Sequence, residues 1–87
     1  MTDYFDRLSK LKGVLADNLD TLIYYSGSNA EYVCQAAPGT SESDHKWQIK
    51  KLQYDGSGNV TRVKFANGKP DFRFRPSLRA GYTYIGI

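Results

Sequence analysis

Eighty-seven residues with a formal net charge of +3 hold one small domain and one modest core. Apolar residues make up 40% and aromatics 14%, a low apolar and high aromatic share that suits half-buried rings and contact surfaces. The single cysteine excludes an internal disulfide, and no apolar run approaches the roughly 18 residues that a membrane-spanning helix needs.

The chain opens on a predicted helix, Thr2 to Leu19. Thr2 or Asp3 can cap it, and Asp3 and Asp6 sit in the first turn, where the helix dipole favours negative charge. Asp6 and Lys10 are spaced to pair. Phe5, Leu8, Leu11, Leu15 and Leu19 form one apolar stripe. Gly13 costs about 1 kcal/mol relative to alanine inside a helix, so Lys12 is an alternative stop. The stripe either packs on the domain's own sheet or docks on a neighbouring subunit. The start lacks a basic segment followed by an apolar one, so no signal peptide is expected.

Leu22 to Tyr25 is a short strand candidate, and Ser26-Gly27-Ser28-Asn29 is turn chemistry. Glu31 to Ala37 is the next strand. Tyr32, Cys34 and Ala36 share one face, Val33 and Gln35 the other, and Pro38-Gly39 ends it. Thr40 to Asp44 reads as a surface loop. His45, the sole histidine, has no cysteine or carboxylate at ligand spacing and reads as a loop residue.

Two runs rich in β-branched and aromatic residues follow, Lys46 to Tyr54 and Val60 to Ala66. Asp55-Gly56-Ser57-Gly58-Asn59 joins them into a β-hairpin. Setting Tyr54 opposite Val60 places Ile49 opposite Phe65, Lys51 opposite Val63 and Lys50 opposite Lys64. Trp47, Ile49, Val63 and Phe65 then form a core face, with Leu52, Tyr54 and Val60 on the reverse. Apolar residues thus change face between base and tip. Either a bulge near Lys50-Lys51 swaps the phase, or the tip packs on something separate from the base.

Ala66 to Pro70 is another turn. Phe72 and Phe74 alternate with Arg73 and Arg75 in a predicted half-buried strand, Asp71 to Arg75, which Pro76 breaks. Leu78 to Ile87 is the final strand. Five to six short strands and one N-terminal helix give a mainly β fold, a small antiparallel sandwich or partly open barrel. Residues 1–19 form an attachment segment and residues 20–87 the β domain.

No serine or threonine has a histidine and acid at a suggestive position, and no glycine-rich loop opens a helix as phosphate-binding loops require. No enzyme, cofactor or metal is expected. Charge is more informative. Residues 1–45 carry three basic and seven acidic side chains, and residues 46–87 carry nine and two. Lys50, Lys51, Arg62, Lys64, Arg73 and Arg75 are the basic surface candidates. Interleaved with aromatics, they suit a single-stranded nucleic-acid binder. The same polarity suits a subunit that sets its acidic half on a neighbour's basic half, or a sheet edge guarded by lysines.

A longer pattern runs through residues 32 to 84. It comprises Tyr32-Val33-Cys34-Gln35-Ala36-Ala37-Pro38-Gly39-Thr40, then Trp47-Gln48-Ile49-Lys50-Lys51, Tyr54-Asp55-Gly56-Ser57-Gly58-Asn59-Val60-Thr61 and Phe65-Ala66-Asn67-Gly68. Phe72, Arg79-Ala80 and Tyr84 complete it. The ordered set resembles small virion structural proteins of tailed bacteriophages. Phe65 stands where that pattern has tryptophan, Cys34 where it has glycine, and Phe74-Arg75-Pro76 replaces a more acidic stretch. The helix lies outside the pattern.

The resemblance implies a component of the tail, neck or capsid surface, made in the host bacterial cytoplasm, with no chemistry of its own. Its expected partners are copies of itself and other virion proteins, with nucleic acid the second choice and no membrane. Phe5, Leu8, Leu11, Leu15, Tyr84 and Ile85 are the interface candidates. Tyr84 to Ile87 is apolar and uncharged, so the sequence predicts that this end pairs within the sheet or with a neighbour.

Overall fold

The computed structural model describes residues 18–86. The predicted helix lies outside the described residues as far as Asp17, with its stripe of Phe5, Leu8, Leu11 and Leu15. Its predicted end is corrected, because Asn18 takes a positive φ of 64° and Asn18-Leu19 is a turn into β1, not helix. The rest is mainly β, as the sequence predicts. Five antiparallel strands, β1 (Asp20–Ser26), β2 (Asn29–Ala36), β3 (Gln48–Tyr54), β4 (Val60–Ala66) and β5 (Tyr84–Gly86), form one sheet in chain order. The sheet is open: β1 and β5 are its edges, and no second sheet stands among the described residues.

Local chemistry sets the turns. At the hairpin tip, Asp55 Oδ1 accepts from the backbone N–H groups of Ser57 (2.9 Å) and Asn59 (3.0 Å). Those two bonds fold the loop around one carboxylate, and Gly58 supplies the positive φ of 82° that this path needs. Between β4 and the next segment, Asn67 and Gly68 both take positive φ, 52° and 71°, and Lys69 N–H donates to Ala66 O at 3.0 Å. Two consecutive left-handed residues make a tight primed turn, which Asn-Gly favours.

The hairpin register departs from the sequence expectation. Tyr54 does pair with Val60, but Gln53 pairs with Arg62, Leu52 with Val63, Lys51 with Lys64 and Lys50 with Phe65. Thr61 is therefore an extra residue on β4, a bulge near the tip and not at Lys50-Lys51. One extra residue reverses the face of everything beyond it. Val63 and Phe65 consequently lie with Leu52, Tyr54 and Val60, on the face opposite Trp47 and Ile49. This bulge resolves the change of face in the hairpin, because all three large apolar residues of β4 now share one side. A second irregularity, between Tyr24 and Tyr25, leaves Glu31 extra on β2 and brings Ala30 onto the same face as Val33.

Two apolar clusters result. On the Trp47 face, Tyr32, Cys34, Ala36, Trp47, Ile49, Ala66 and Phe74 are buried. On the Leu52 face, Ala30, Val33 and Leu52 are buried, with Ile23, Tyr54, Val60 and Val63 packed against them. The central strand β3 contributes to both, which is why its sequence does not alternate cleanly between apolar and polar.

The segment after β4 covers the Trp47 face, and here two predicted strands are corrected. Asp71 to Arg75 is not a strand: only Phe74 pairs, bridging Trp47 through two backbone hydrogen bonds of 2.9 Å. Phe74 is buried while Phe72 is exposed, so the alternation of aromatics marks one anchor and not a half-buried ladder. Leu78 to Ile87 is not one strand either. Pro76 starts a 3-10 helix, Pro76–Gly81, and only Tyr84–Gly86 is extended into the sheet. The cause is local. Proline holds φ near −65°, and the preceding Arg75 is pushed to an extended conformation, φ −114° and ψ 124°.

This strap reaches far across the sheet. The Arg79 guanidinium stacks 3.6 Å from the Tyr24 ring centroid on β1. The chain then returns to pair with β4 as β5 at the opposite edge.

Candidate basic groove on the Trp47 face

The hairpin bulge determines which basic residues share a face. Lys51 and Lys64 are direct cross-strand partners, and Arg62 lies two residues from Lys64 on the same side. On a β-ladder such partners have Cβ atoms roughly 4.5–5.5 Å apart, and like charges so placed repel. Lys51 is steadied by π-faces, its Nζ lying 5.6 Å from the Tyr32 centroid and 5.8 Å from that of Tyr84. Arg62 lays its stem along β5, with Cδ 3.2 Å from where a side chain on Gly86 would begin. A glycine at that edge position leaves the arginine room.

Beside the lysine pair, the strap contributes two tyrosines whose hydroxyls are fixed. Tyr84 donates to Arg79 O at 2.6 Å, and the Tyr82 hydroxyl accepts from Arg75 N–H at 3.1 Å. Tyr82 stands edge-on to Phe74, with centroids 5.0 Å apart, and Tyr84 is tilted against Tyr32 at 5.4 Å. Together Lys51, Lys64, Tyr82 and Tyr84, with Leu52 and Gln53, line a groove of about 390 Å³. That volume falls in the range of small-molecule sites, roughly 300–1,000 Å³. Desolvation raises the pKa of the Tyr84 hydroxyl, so Tyr84 enters the groove as a neutral ring near pH 7.

The other basic candidates are elsewhere. Lys50 is not a surface residue. It is buried on the Leu52 face, 7% exposed, where its Nζ donates to Gln35 Oε1 at 3.0 Å and Gln35 Nε2 donates to Thr21 Oγ1 at 3.1 Å. Burial holds its ammonium below the usual lysine value. The single-residue alternation of a strand explains this: Lys50 and Lys51 are neighbours in sequence and must point to opposite faces.

Arg73 is exposed and paired with Asp71 at 2.9 Å. Arg75 sits at the start of the 3-10 helix with its Nε buried and unpartnered. Of the interface candidates, Tyr84 is half-buried in the groove wall, and Ile85 is exposed on the opposite face.

Tyr82 and Gln53 belong to the groove but are not singled out by sequence. The only hint in the chain is the alternation of Tyr82 with Tyr84. Among the described residues, no group of three His, Cys, Asp or Glu side chains could hold a metal ion, and no helix is long and apolar enough to cross a membrane. Comparisons with protein-family models, with curated proteins and with solved structures give no match.

Proposed function

We propose that this chain is a structural subunit of a tailed-phage particle that works by protein–protein contact. The observation that carries the reading is the open sheet. β5 pairs only with Lys64, Phe65 and Ala66, so the outer edge of β4 from Val60 to Val63 has no strand beside it among the described residues. Exposed edges recruit other chains. Tyr25 and Ile85, large apolar residues on opposite edge strands, are about half exposed, and rings and aliphatic groups of this kind anchor interfaces. The pattern from Tyr32 to Tyr84 resembles that of small phage virion proteins and supports the same reading. Localisation to the virion, self-association and contact with other virion proteins follow from it.

The test is incorporation. A tagged chain is expressed during particle production, particles are purified, and mass spectrometry takes inventory of them. Wild type is expected in the particles at constant stoichiometry. An Ile85→Asp variant, exposed and hence folded, is expected to fall at least several-fold in occupancy. Recovery of wild type only in the free protein pool would refute the reading.

A further inference from the structure

We propose that the groove between Lys51, Lys64, Tyr82 and Tyr84 binds one phosphate-and-base unit of a single-stranded nucleic acid. The lysines are the first reason. They face each other across the ladder, an arrangement that destabilises a sheet unless an anion sits between them. Arg62 adds a third positive charge on the same side. No carboxylate answers them among the described residues, where the only ion pair is Arg73 with Asp71. Acidic side chains do occur nearby in sequence, but Asp55 is engaged in its own hairpin turn and Asp71 in the Arg73 pair.

The wall is the second reason. An acidic peptide needs only the charges. This groove also presents two tyrosine rings, each held by a hydroxyl hydrogen bond, in a space of about 390 Å³. Cations that take the phosphate beside rings that take the base are the two parts of a single-strand site. Stacking on a ring is indifferent to base identity, so sequence preference is expected to be weak.

The geometry also limits the claim to one unit. Lys50 lies on the other face and Arg73 is held by Asp71, so the basic residues do not form a continuous track. A longer strand is followed only if several copies of the chain line it.

Fluorescence anisotropy with a labelled oligothymidylate of roughly ten nucleotides tests this across a salt series. Two double variants remove the same net charge. Lys51→Ala/Lys64→Ala empties the groove, whereas Lys46→Ala/Lys69→Ala removes exposed lysines outside it. The groove variant is expected to lose about tenfold or more in affinity, and its log–log salt slope is expected to flatten by about 0.7, the value for the one phosphate contact it loses. The control is expected to lose less than about threefold, through the general field alone.

Lys64→Ala alone is expected to lose several-fold in affinity and to flatten the slope by at most about 0.7, which keeps the test decisive if the half-buried Lys51 position proves sensitive to folding. Equal losses in the two double variants, or no binding by wild type at low salt, would overturn the proposal. So would displacement of the oligonucleotide by polyglutamate at matched charge concentration, which would assign the groove to an acidic protein surface.

Discussion

Trp47 is 2% exposed and sits where the hairpin, the Thr40–Asp44 loop and the strap meet. Its indole Nε1–H donates to Ser41 O at 2.9 Å, its backbone is bridged to Phe74, and its ring packs in the cluster of Tyr32, Cys34, Ile49 and Phe74. Truncation to alanine removes the buried ring and its donor together, while the backbone bridge to Phe74 stays available. Burying a ring of roughly 250 Å² at about 25 cal/mol per Å² is worth some 6 kcal/mol as an upper bound. Measured truncations of buried aromatics fall at about 3–5 kcal/mol once the site partly collapses.

The loss of the indole donor leaves Ser41 O seeking water, adding about 1 kcal/mol. A chain of this size is stabilised by only about 5–10 kcal/mol. Trp47→Ala is therefore expected to be largely unfolded at 37 °C, and Trp47→Phe, which keeps most of the ring and loses the donor, to be folded but weakened by about 1–2 kcal/mol. Urea titrations followed by far-UV circular dichroism measure both without relying on indole emission. A Trp47→Ala protein whose urea midpoint matches wild type would refute the reasoning and make the ring a contact residue instead of the centre of the core.

Other perturbations test four particular features: the buried thiol, the Asn67-Gly68 turn, the lysine pair and the bulge. Burial pushes the Cys34 thiol up to about 12 from 9.0, so between those pH values the native state holds a proton that the unfolded state releases. Stability is then full below pH 9 and falls as pH rises towards 12, and the fall in urea midpoint over that window is expected to be shallower in Cys34→Ala. Gly68 has φ +71°, and an added Cβ would meet the Ile85 Cβ at 3.3 Å, so Gly68→Ala is expected to cost about 1–2 kcal/mol in thermal melts. Gly56→Ala, with nothing within 4 Å, is expected to stay within about 0.5 kcal/mol of wild type.

Lys64→Gln relieves the charge facing Lys51 and is expected to stabilise the free protein by about 0.2–1 kcal/mol, an increase that added salt shrinks. Deleting Thr61 removes the bulge but keeps both halves of the hairpin on their faces, and is expected to cost less than about 1.5 kcal/mol. Deleting Lys64 instead must put either Phe65 or Val63 on the wrong face and is expected to prevent folding, read by circular dichroism.

The contrast between those deletions marks how much of the fold the chain spells out. The hairpin, its five-residue connection and the Tyr54–Val60 pair are legible because turn residues and β-branched runs are local signals. The bulge is not. Thr61 looks like any strand residue, and only the placing of the half-buried Val60, Val63 and Phe65 on one side demands an extra position before Arg62. Missing it moves Val63 and Phe65 to the wrong face.

The strap is illegible for the opposite reason. Phe72-Arg73-Phe74-Arg75 has the period of a strand, yet the backbone of Phe74 is taken by Trp47, far away in sequence, and Pro76 redirects the chain before a ladder can extend. Among the groove residues, Lys51, Lys64 and Tyr84 could be nominated from charge and ring content. Their juxtaposition could not, because it depends on that bulge and on the return of β5.

The strap connects stability to the groove. It contributes Phe74 to the Trp47 cluster and then, within ten residues, sets Tyr82 and Tyr84 beside Lys51. Its own 3-10 turn is too short to hold itself, so its position is fixed from outside. Arg79 does much of this: its side chain lies on the Tyr24 ring, its Nη1 donates to Pro76 O at 3.2 Å, and its carbonyl accepts the Tyr84 hydroxyl at 2.6 Å. One residue thus touches the first strand, the start of the turn and the groove wall. A stacked arginine contributes about 0.5–2 kcal/mol, and its carbonyl orients a ring that charge alone could not place. The cationic pair on the hairpin is present whenever the sheet is folded. Its aromatic wall is held twice over, by the strap through the Tyr82 and Tyr84 hydroxyl bonds and by the pairing of Tyr84 with Ala66 in the sheet, so Arg79→Ala is expected to loosen the Tyr82 side of the groove before the Tyr84 side.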